Sequence, residues 1–160
     1  MNVLNQKIGE NYAVYNADTV EVAKSLPSES VDFSVFSPPF SSLYTYSNSD
    51  RDMGNVKSDA EFWEQYRYLI KEQFRVMKPG RNIAIHCMNL PSSKQNDGFI
   101  GIKDFRGDII REYQKAGFIY HSEVCIWKCP VVAMTRTKAL GLLHKTIKKD
   151  SAMSRMGIPD

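Results

Sequence analysis

The stretch VDFSVFSPPF at residues 31–40 limits the possible fold more than any other part of the sequence. Its first six residues are rich in β-branched and aromatic side chains, which favours a buried strand. Pro38 and Pro39 have no N–H group and fix two successive φ angles, so they cannot continue that strand inside a sheet. The sequence therefore predicts a buried strand that stops at Ser37.

Two helix starts flank this strand. Asp18 and Glu21 form a variant of the capping box, and Ser58 and Glu61 form a second capping box. The second start opens the clearest helix of the chain, which Lys78-Pro79-Gly80 is expected to end. Apolar residues recur there at three- and four-residue steps, and its aromatic residues are predicted to lie in the core. These apolar residues are Phe62, Tyr66, Leu69, Ile70, Phe74 and Met77.

The second half of the chain continues the alternation of strands and helices. Residues 82–88 are predicted to form a buried strand in which His86 is a core histidine. A loop over 91–98, a helix over 105–116 and a strand over 118–128 follow. This order predicts an α/β fold with a parallel sheet covered by helices. The polar segment 41–57 between strand and helix is expected to be a functional or mobile loop.

Composition and length narrow the protein class. A chain of 160 residues with 42% hydrophobic and 24% charged residues fits one soluble domain. No stretch approaches the roughly 20 apolar residues of a membrane span, and residues 1–10 lack a signal-peptide pattern. We therefore expect a cytoplasmic protein. The three cysteines have neither disulfide-framework nor zinc-ligand spacing, so reduced and packed thiols are expected at Cys87, Cys125 and Cys129. The two tryptophans, Trp63 and Trp127, are also expected to pack in the fold.

The positive charge is concentrated at the C-terminal end. Residues 133–160 contain six Lys and Arg against two Asp, although the whole chain has a formal net charge of only +3. Such a distribution is typical of a chain that meets a polyanion with one end, and a solvated surface is the alternative. We predict a basic tail over 131–160, separate from residues 1–130. The candidate phosphate-binding residues are Arg136, Lys138, Lys145, Lys148 and Lys149, with Arg155 beyond them.

The residues at the end of the predicted strand suit one kind of chemistry. In open α/β sheets, ligands bind at the carboxyl ends of the strands. The Ser37 hydroxyl can accept a hydrogen bond, the two prolines leave carbonyl groups free, and Phe40 provides a flat apolar face. Fixed acceptors for the hydrogens of an exocyclic amino group favour a tetrahedral nitrogen that can attack a methyl sulfonium. A proline turn after a strand is the simpler alternative.

Several motifs in order resemble the DNA amino-methyltransferases, which act on cytosine N4 or adenine N6. The resemblance covers about residues 12–135. The similar stretches are Asn16-Ala17-Asp18, Leu26-Pro27, Ser30-Val31-Asp32, Ser37-Pro38-Pro39-Phe40, Met53-Gly54-Asn55, Met77-Lys78-Pro79-Gly80-Arg81 and Trp127-Lys128-Cys129-Pro130.

This resemblance implies a Rossmann-like methyltransferase sheet flanked by helices, with S-adenosyl-L-methionine as cofactor and double-stranded DNA as partner. It implies catalytic roles for Ser37, Pro38, Pro39 and Phe40, and cofactor contacts for Asp18 and Ser37. A serine at position 37 resembles the cytosine-N4 members more than the adenine-N6 members. Tyr44 and Tyr46 are expected to border the flipped base or to pack on the fold.

The motif order resembles the permuted β-type members, in which a glycine-rich cofactor loop follows the recognition region. The nine glycines of this chain never occur as Gly-x-Gly, so the fold is expected to be incomplete. A C-terminal half or a second chain would then supply that loop, in a bacterial or phage-encoded enzyme. A non-catalytic DNA-binding remnant remains an alternative. Methylation of a protein glutamine is disfavoured, because the relatives with that activity have an Asn-Pro-Pro-Tyr motif and an upstream glycine loop.

Overall fold

The computed structural model describes residues 3–41, 45–92 and 94–127. They divide into two compact units. The first contains the described residues of Met1–Leu90 together with Asp104–Tyr120, and the second those of Pro91–Lys103 and His121–Asp160. In chain order the elements are β1 (Val3–Ile8), β2 (Ala13–Ala17), α1 (Thr19–Ser25), β3 (Val31–Phe36), a 3-10 helix (Met53–Asn55), α2 (Asp59–Val76), β4 (Met77–Ile85), β5 (Leu90–Ser92), α3 (Lys94–Asp97), β6 (Gly101–Lys103) and α4 (Phe105–Lys115).

The centre of the first unit is the segment β3–α2–β4, in which the two strands pair in parallel. This confirms the α/β fold class and the position of the strand over 31–36. Ser34 pairs with Ile83 and Phe36 with Ile85, so both strands reach their carboxyl ends together. Among the residues that the structure describes, this sheet consists of β3 and β4.

The predicted burial of the strand over 31–36 is wrong, because Phe33 is 59% and Val35 68% exposed. None of residues 82–88 is buried either, so the burial predicted for the second strand is also wrong.

The strand β4 begins directly at the end of α2, earlier than predicted. Val31 pairs with Met77 and Phe33 with Asn82, so the register shifts between these pairs. Gly80 lies in the shifted stretch with a φ of 73°, a conformation that glycine adopts without strain. Lys78-Pro79-Gly80 therefore belongs to the irregular start of the strand, and the strand ends at Ile85, not at residue 88.

The hydrophobic core of the first unit lies where α2 packs with α4. Phe62, Tyr66 and Ile70 of α2 are almost completely buried, and Phe105 and Tyr113 of α4 belong to the same cluster. The helix that starts at the Ser58 capping box is confirmed, and Trp63 packs against the cluster as expected. Within α2, four residues of the predicted apolar stripe are buried, namely Phe62, Tyr66, Leu69 and Ile70.

Phe74 is the exception on the apolar stripe of α2. The side chain is 49% exposed, so its predicted core position is wrong. Its ring meets the ring of Phe118 edge to face at 5.2 Å, which covers only part of its surface. Helical spacing places Phe74 on the apolar stripe, but spacing alone does not show whether other residues cover a position, and here about half of the side chain stays exposed.

Residues 118–127 form no strand, so the predicted strand over 118–128 is wrong for the part that the structure describes. Ile119 is 89% exposed in the first unit. Val124 of the second unit is 86% exposed. Cys125 and Trp127 are exposed as well, so their predicted packing is wrong. Residues rich in β-branched and aromatic side chains form a strand only where a partner strand pairs with them.

The β1–β2 hairpin and the short elements near residue 95 were not predicted. β1 and β2 pair antiparallel, and the Gly9 N–H closes their turn by donating to the Tyr12 carbonyl at 2.8 Å. The predicted loop over 91–98 contains the end of β5 and the helix α3. Among the described helices, none is long and apolar enough to span a membrane.

Candidate active site

Ser37 lies immediately after β3, at the carboxyl end of the parallel strand pair, and its side chain is exposed. Its Oγ donates a hydrogen bond to the His86 carbonyl oxygen at 2.9 Å. The backbone N–H of His86 donates in turn to the Phe36 carbonyl at 2.9 Å. These two bonds join the ends of β3 and β4, so Ser37 and His86 lie side by side.

His86 is the functional candidate that the sequence pattern placed wrongly. It was predicted as a core histidine, but it is exposed and follows the last residue of β4. Its Nδ1 lies 3.4 Å from Ser37 Oγ. The run NIAIHCM hides this position, because apolar residues on both sides of the histidine resemble a longer strand. One sequence signal could have identified His86: it is a polar residue within an apolar run. That run follows the long helix and is therefore a candidate partner for the strand that ends before Ser37.

The remaining residues of the motif differ in burial. Pro38 is buried, whereas Pro39 and Phe40 are half-buried. The Phe40 ring packs edge to face against Phe105 of α4, with ring centres 6.2 Å apart and planes at 84°. The core therefore supports one side of the Phe40 ring and leaves part of its surface exposed.

The residue after the motif, Ser41, is buried and has a φ of 51°. This left-handed conformation is uncommon outside glycine. Its hydroxyl donates a hydrogen bond of 2.7 Å to Oδ1 of Asp59, the first residue of α2. The chain that leaves the motif is therefore tied to the start of the long helix.

The segment 45–57 is organised around the Asp52 carboxylate. The backbone N–H groups of Tyr46, Ser47 and Gly54 donate to it at 3.0, 2.6 and 2.8 Å. Burial acts to raise the pKa of Asp52, and these N–H donors outweigh it, so the pKa is lowered overall. Tyr46 itself is 64% exposed, and Tyr44 lies outside the described residues.

Arg51 connects this segment to the start of α1. Its Nε lies 3.0 Å from Asp18 Oδ2, and its Nη2 lies 3.1 Å from Glu21 Oε1. Asp18 also accepts the Glu21 N–H at 3.0 Å, which confirms its predicted role as the N-cap of α1. The side-chain bond from Lys24, followed by that from Arg51, lowers the pKa of Glu21.

A surface cleft of about 300 Å³ borders this ion-pair cluster. Its wall combines carboxylates, cations and apolar side chains, so it could accept a ligand that carries both charges and an apolar part. The lining residues are Asp18, Val20, Lys24, Asp50, Arg51, Met53, Gln65 and Tyr68.

The predicted DNA-binding residues, from Arg136 to Lys149, lie outside the described residues. Over the part of the chain that is described, no group of three or more His, Cys, Asp or Glu residues could hold a metal ion. Cys87 packs against the core of the first unit.

No protein-family model and no curated protein matches this chain. Three crystal structures of a candidate DNA modification methylase from Thermus thermophilus are similar to it: a selenomethionine derivative, a second form, and a complex with S-adenosyl-L-methionine. Each is 24% identical with a TM-score of 0.49 over 64% of this chain. This chain spans 37% of the first structure and 39% of the other two.

Proposed function

We propose that this chain is the catalytic part of an S-adenosylmethionine-dependent DNA methyltransferase that acts on the exocyclic amino group of a flipped base. The observation that carries the proposal is the hydrogen bond from Ser37 Oγ to the His86 carbonyl. A carbonyl oxygen can only accept, so the Ser37 hydroxyl proton is held by His86. His86 Nδ1, at 3.4 Å, can occupy at most one lone pair of Ser37 Oγ, so another lone pair remains available at the exposed strand ends.

Such an acceptor matches the chemical need of an exocyclic amine. The nitrogen lone pair of cytosine N4 or adenine N6 is delocalised into the ring, which makes the amine a poor nucleophile. An oxygen fixed before the substrate arrives accepts an amine N–H and favours the tetrahedral nitrogen without reorganisation. Ser37 Oγ and the Pro38 carbonyl would orient the amine, and Phe40 would stack on the base.

The residues around Asp18 fit part of the proposed cofactor. S-adenosylmethionine has a zwitterionic amino-acid part, a sulfonium that donates the methyl group, and a nucleoside. Carboxylates and cations of the cleft suit the zwitterion, and Met53 and Tyr68 offer apolar contact to the nucleoside. Asp18 would exchange its Arg51 ion pair for a cofactor contact. A glycine-rich loop from a C-terminal half or a second chain would complete this site.

Double-stranded DNA is the proposed partner. The basic segment 131–160, proposed as the start of a target-recognition region, would neutralise phosphates and position the duplex. Phosphate contacts give affinity without sequence information, so they would hold the duplex while one base leaves the stack. We favour cytosine N4 as the target because a serine at position 37, before the two prolines, resembles the cytosine-N4 members of the DNA amino-methyltransferases.

The test compares Ser37→Ala and Phe40→Ala with the unchanged sequence, in each case within the complete enzyme that contains the proposed glycine-rich loop. We expect Ser37→Ala to lose methylation of duplex DNA by at least a hundredfold, the scale of losing one oriented polar group. Phe40→Ala should lose a similar factor, because the base would no longer be held in position by stacking. Affinity for the duplex should change less than about twofold, since neither residue contacts phosphate. Undiminished methylation by both variants would contradict the proposal.

A second candidate is a non-catalytic DNA-binding module. The observation that favours it is the basic charge of residues 133–160, six Lys and Arg against two Asp, which by itself would bind phosphates. Calorimetric titration with S-adenosylmethionine separates the two, because a binding module would release no heat. A saturable heat with an affinity that Asp18→Ala lowers would favour the methyltransferase. Asp50→Ala, a second variant in the same cleft, would be titrated in the same way.

A further inference from the structure

We propose that Ser41 and Asp59 are positioning residues that set the direction of the Phe40 ring for stacking on the target base. This inference rests on the proposed methyltransferase function and adds a role to two residues outside the Ser37–Phe40 motif. The backbone of Ser41 has an uncommon conformation. Only Ser41 and Glu29 among the described non-glycine residues have a positive φ, and both have 51°.

The two residues differ in what surrounds them. Glu29 is exposed and lies in a turn between α1 and β3. Ser41 is only 4% exposed and follows the candidate catalytic motif directly. A non-glycine residue keeps an unfavourable backbone conformation only where its surroundings determine it, and such positions cluster at functional sites. The conformation of Ser41 is therefore held by specific contacts.

The hydrogen bond to Asp59 is that contact. At 2.7 Å it joins the residue after Phe40 to the first turn of α2, whose N-cap is Ser58. One turn further along, Phe62 of the same helix packs against Phe105 with ring centres 5.6 Å apart. Phe105 is also the residue on which the Phe40 ring packs.

Phe40 is thus held from two sides. Its ring rests on Phe105, and its backbone is followed by a turn bound to Asp59. Loss of the Ser41 hydroxyl would remove the hydrogen bond to Asp59 and leave the contact with Phe105 intact. The ring would then keep its contact with the core but lose its fixed direction. A displacement of about 1 Å can lower an enzymatic rate about a hundredfold.

The experiment measures methylation by the complete enzyme, with the proposed glycine-rich loop present, carrying Ser41→Ala, Asp59→Ala, Asp59→Asn or both alanines. We expect each alanine variant to lower kcat ten- to a hundredfold, with KM for duplex DNA changed less than twofold. Asp59→Asn keeps an acceptor oxygen and should stay within about threefold of the unchanged chain. The double variant should be no slower than the slower single variant, because both remove the same bond.

Glu29→Gly is the matched control. It removes the same positive-φ strain at an exposed turn and should leave kcat unchanged. Ser41→Gly separates the backbone from the hydroxyl, since it relieves the strain and also removes the hydrogen bond. We expect it to be as slow as Ser41→Ala. Full activity of Ser41→Gly or Ser41→Ala would overturn the role of the hydrogen bond.

A second measurement does not depend on catalysis. With ¹³C-labelled phenylalanine, Phe40 ring resonances assigned from Phe40→Leu should shift in Ser41→Ala and Asp59→Ala, and much less in Asp59→Asn. If the complete enzyme with the unchanged sequence does not methylate DNA, the proposed function fails, and these resonances still decide whether the pair holds Phe40. Unshifted Phe40 resonances in both alanine variants would overturn the inference.

Discussion

Two hydroxyl networks in the first unit join segments that are far apart in the sequence, and they differ in burial. Between α2 and α4, Tyr66 Oη lies 3.2 Å from Tyr113 Oη, which donates to Gln73 Oε1. At the strand ends, Ser37 donates to the His86 carbonyl. The tyrosine pair and Gln73 are buried, whereas Ser37 and His86 are exposed.

Burial decides what each network can do. It raises the pKa of Tyr66 and of Tyr113, so both phenols stay neutral and serve as fixed donors and acceptors within the core. Leaving a buried hydroxyl without a hydrogen-bond partner lowers the free energy of unfolding, so this network stabilises one arrangement of the two helices. Ser37 has the same kind of group in contact with water, where a ligand can replace water at its lone pairs. The first network therefore stabilises the fold, and the second is available for chemistry.

The largest effect on the free energy of unfolding is expected next to the buried tyrosine network. Phe62 is fully buried and stacks on Tyr66 with ring centres 5.4 Å apart. Phe62→Ala should lower the free energy of unfolding by about 3–5 kcal/mol through lost burial and a residual cavity. Urea unfolding measures the change, and Phe33→Ala, at a ring that is 59% exposed, is the control. A cost below about 1 kcal/mol for Phe62→Ala would contradict the assignment of the core.

The next effect tests the ion pair that joins the same two helices. Glu112 accepts from Arg67 Nε at 2.6 Å and from Lys115 Nζ at 2.7 Å. The Arg67 bond leads in lowering the pKa of Glu112 from 4.5 to about 2, against the opposing effect of burial. A lowered carboxylate pKa adds stability above the unfolded value of 4.5, and this is lost as the pH falls toward 2.

Between pH 6 and pH 3 the chain should therefore lose on the order of 1–2 kcal/mol more unfolding free energy than Glu112→Gln. The figure allows for the solvent exposure of Arg67, which screens the pair. Urea unfolding at the two pH values measures it. An equal pH dependence in both proteins would show that Glu112 is not held in this way.

A smaller effect is expected inside the tyrosine network. Tyr66→Phe removes one hydroxyl, but Tyr113 keeps Gln73 as its acceptor. The loss should be about 1 kcal/mol, the net value of one hydrogen bond. Thermal unfolding of the variant beside the unchanged chain measures it. A loss above about 3 kcal/mol would mean that Tyr113 depends on Tyr66, which the geometry does not indicate.

The smallest effect on stability is expected at the strand ends. Ser37→Ala should change the free energy of unfolding by less than about 0.5 kcal/mol, because water can satisfy the exposed His86 carbonyl. Together with the proposed loss of methylation, this would separate the two networks by function. If Ser37→Ala destabilised the chain as much as Tyr66→Phe, Ser37 would belong with the structural network.

Local patterns in the sequence predicted the parts of this fold that local forces determine. The helix starts at Asp18 and Ser58 are confirmed because capping depends on residues three positions apart. The strand that ends before Ser37 is confirmed because prolines limit it whatever the surroundings. These two features place the motif at the carboxyl end of a strand, which is why the candidate site could be located.

What the sequence could not predict depends on distant partners. The apolar run around His86 does not show where pairing with β3 stops, and pairing decides that His86 is exposed. The Ser41 bond to Asp59 spans 18 residues and has no periodic signal. Residues 118–127 have strand-forming side chains but pair with no described strand, so their composition misled the prediction.

The most direct test of the central claim is to identify the modified nucleoside. The complete enzyme, in which this chain is joined by the proposed glycine-rich loop, is incubated with duplex DNA and S-adenosylmethionine that carries a deuterated methyl group, and the digested nucleosides are analysed by mass spectrometry. We predict label on the exocyclic amine of deoxycytidine, and none when Ser37→Ala replaces the unchanged chain. Label that persists in Ser37→Ala, or no label on any exocyclic amine with the unchanged chain, would contradict the account.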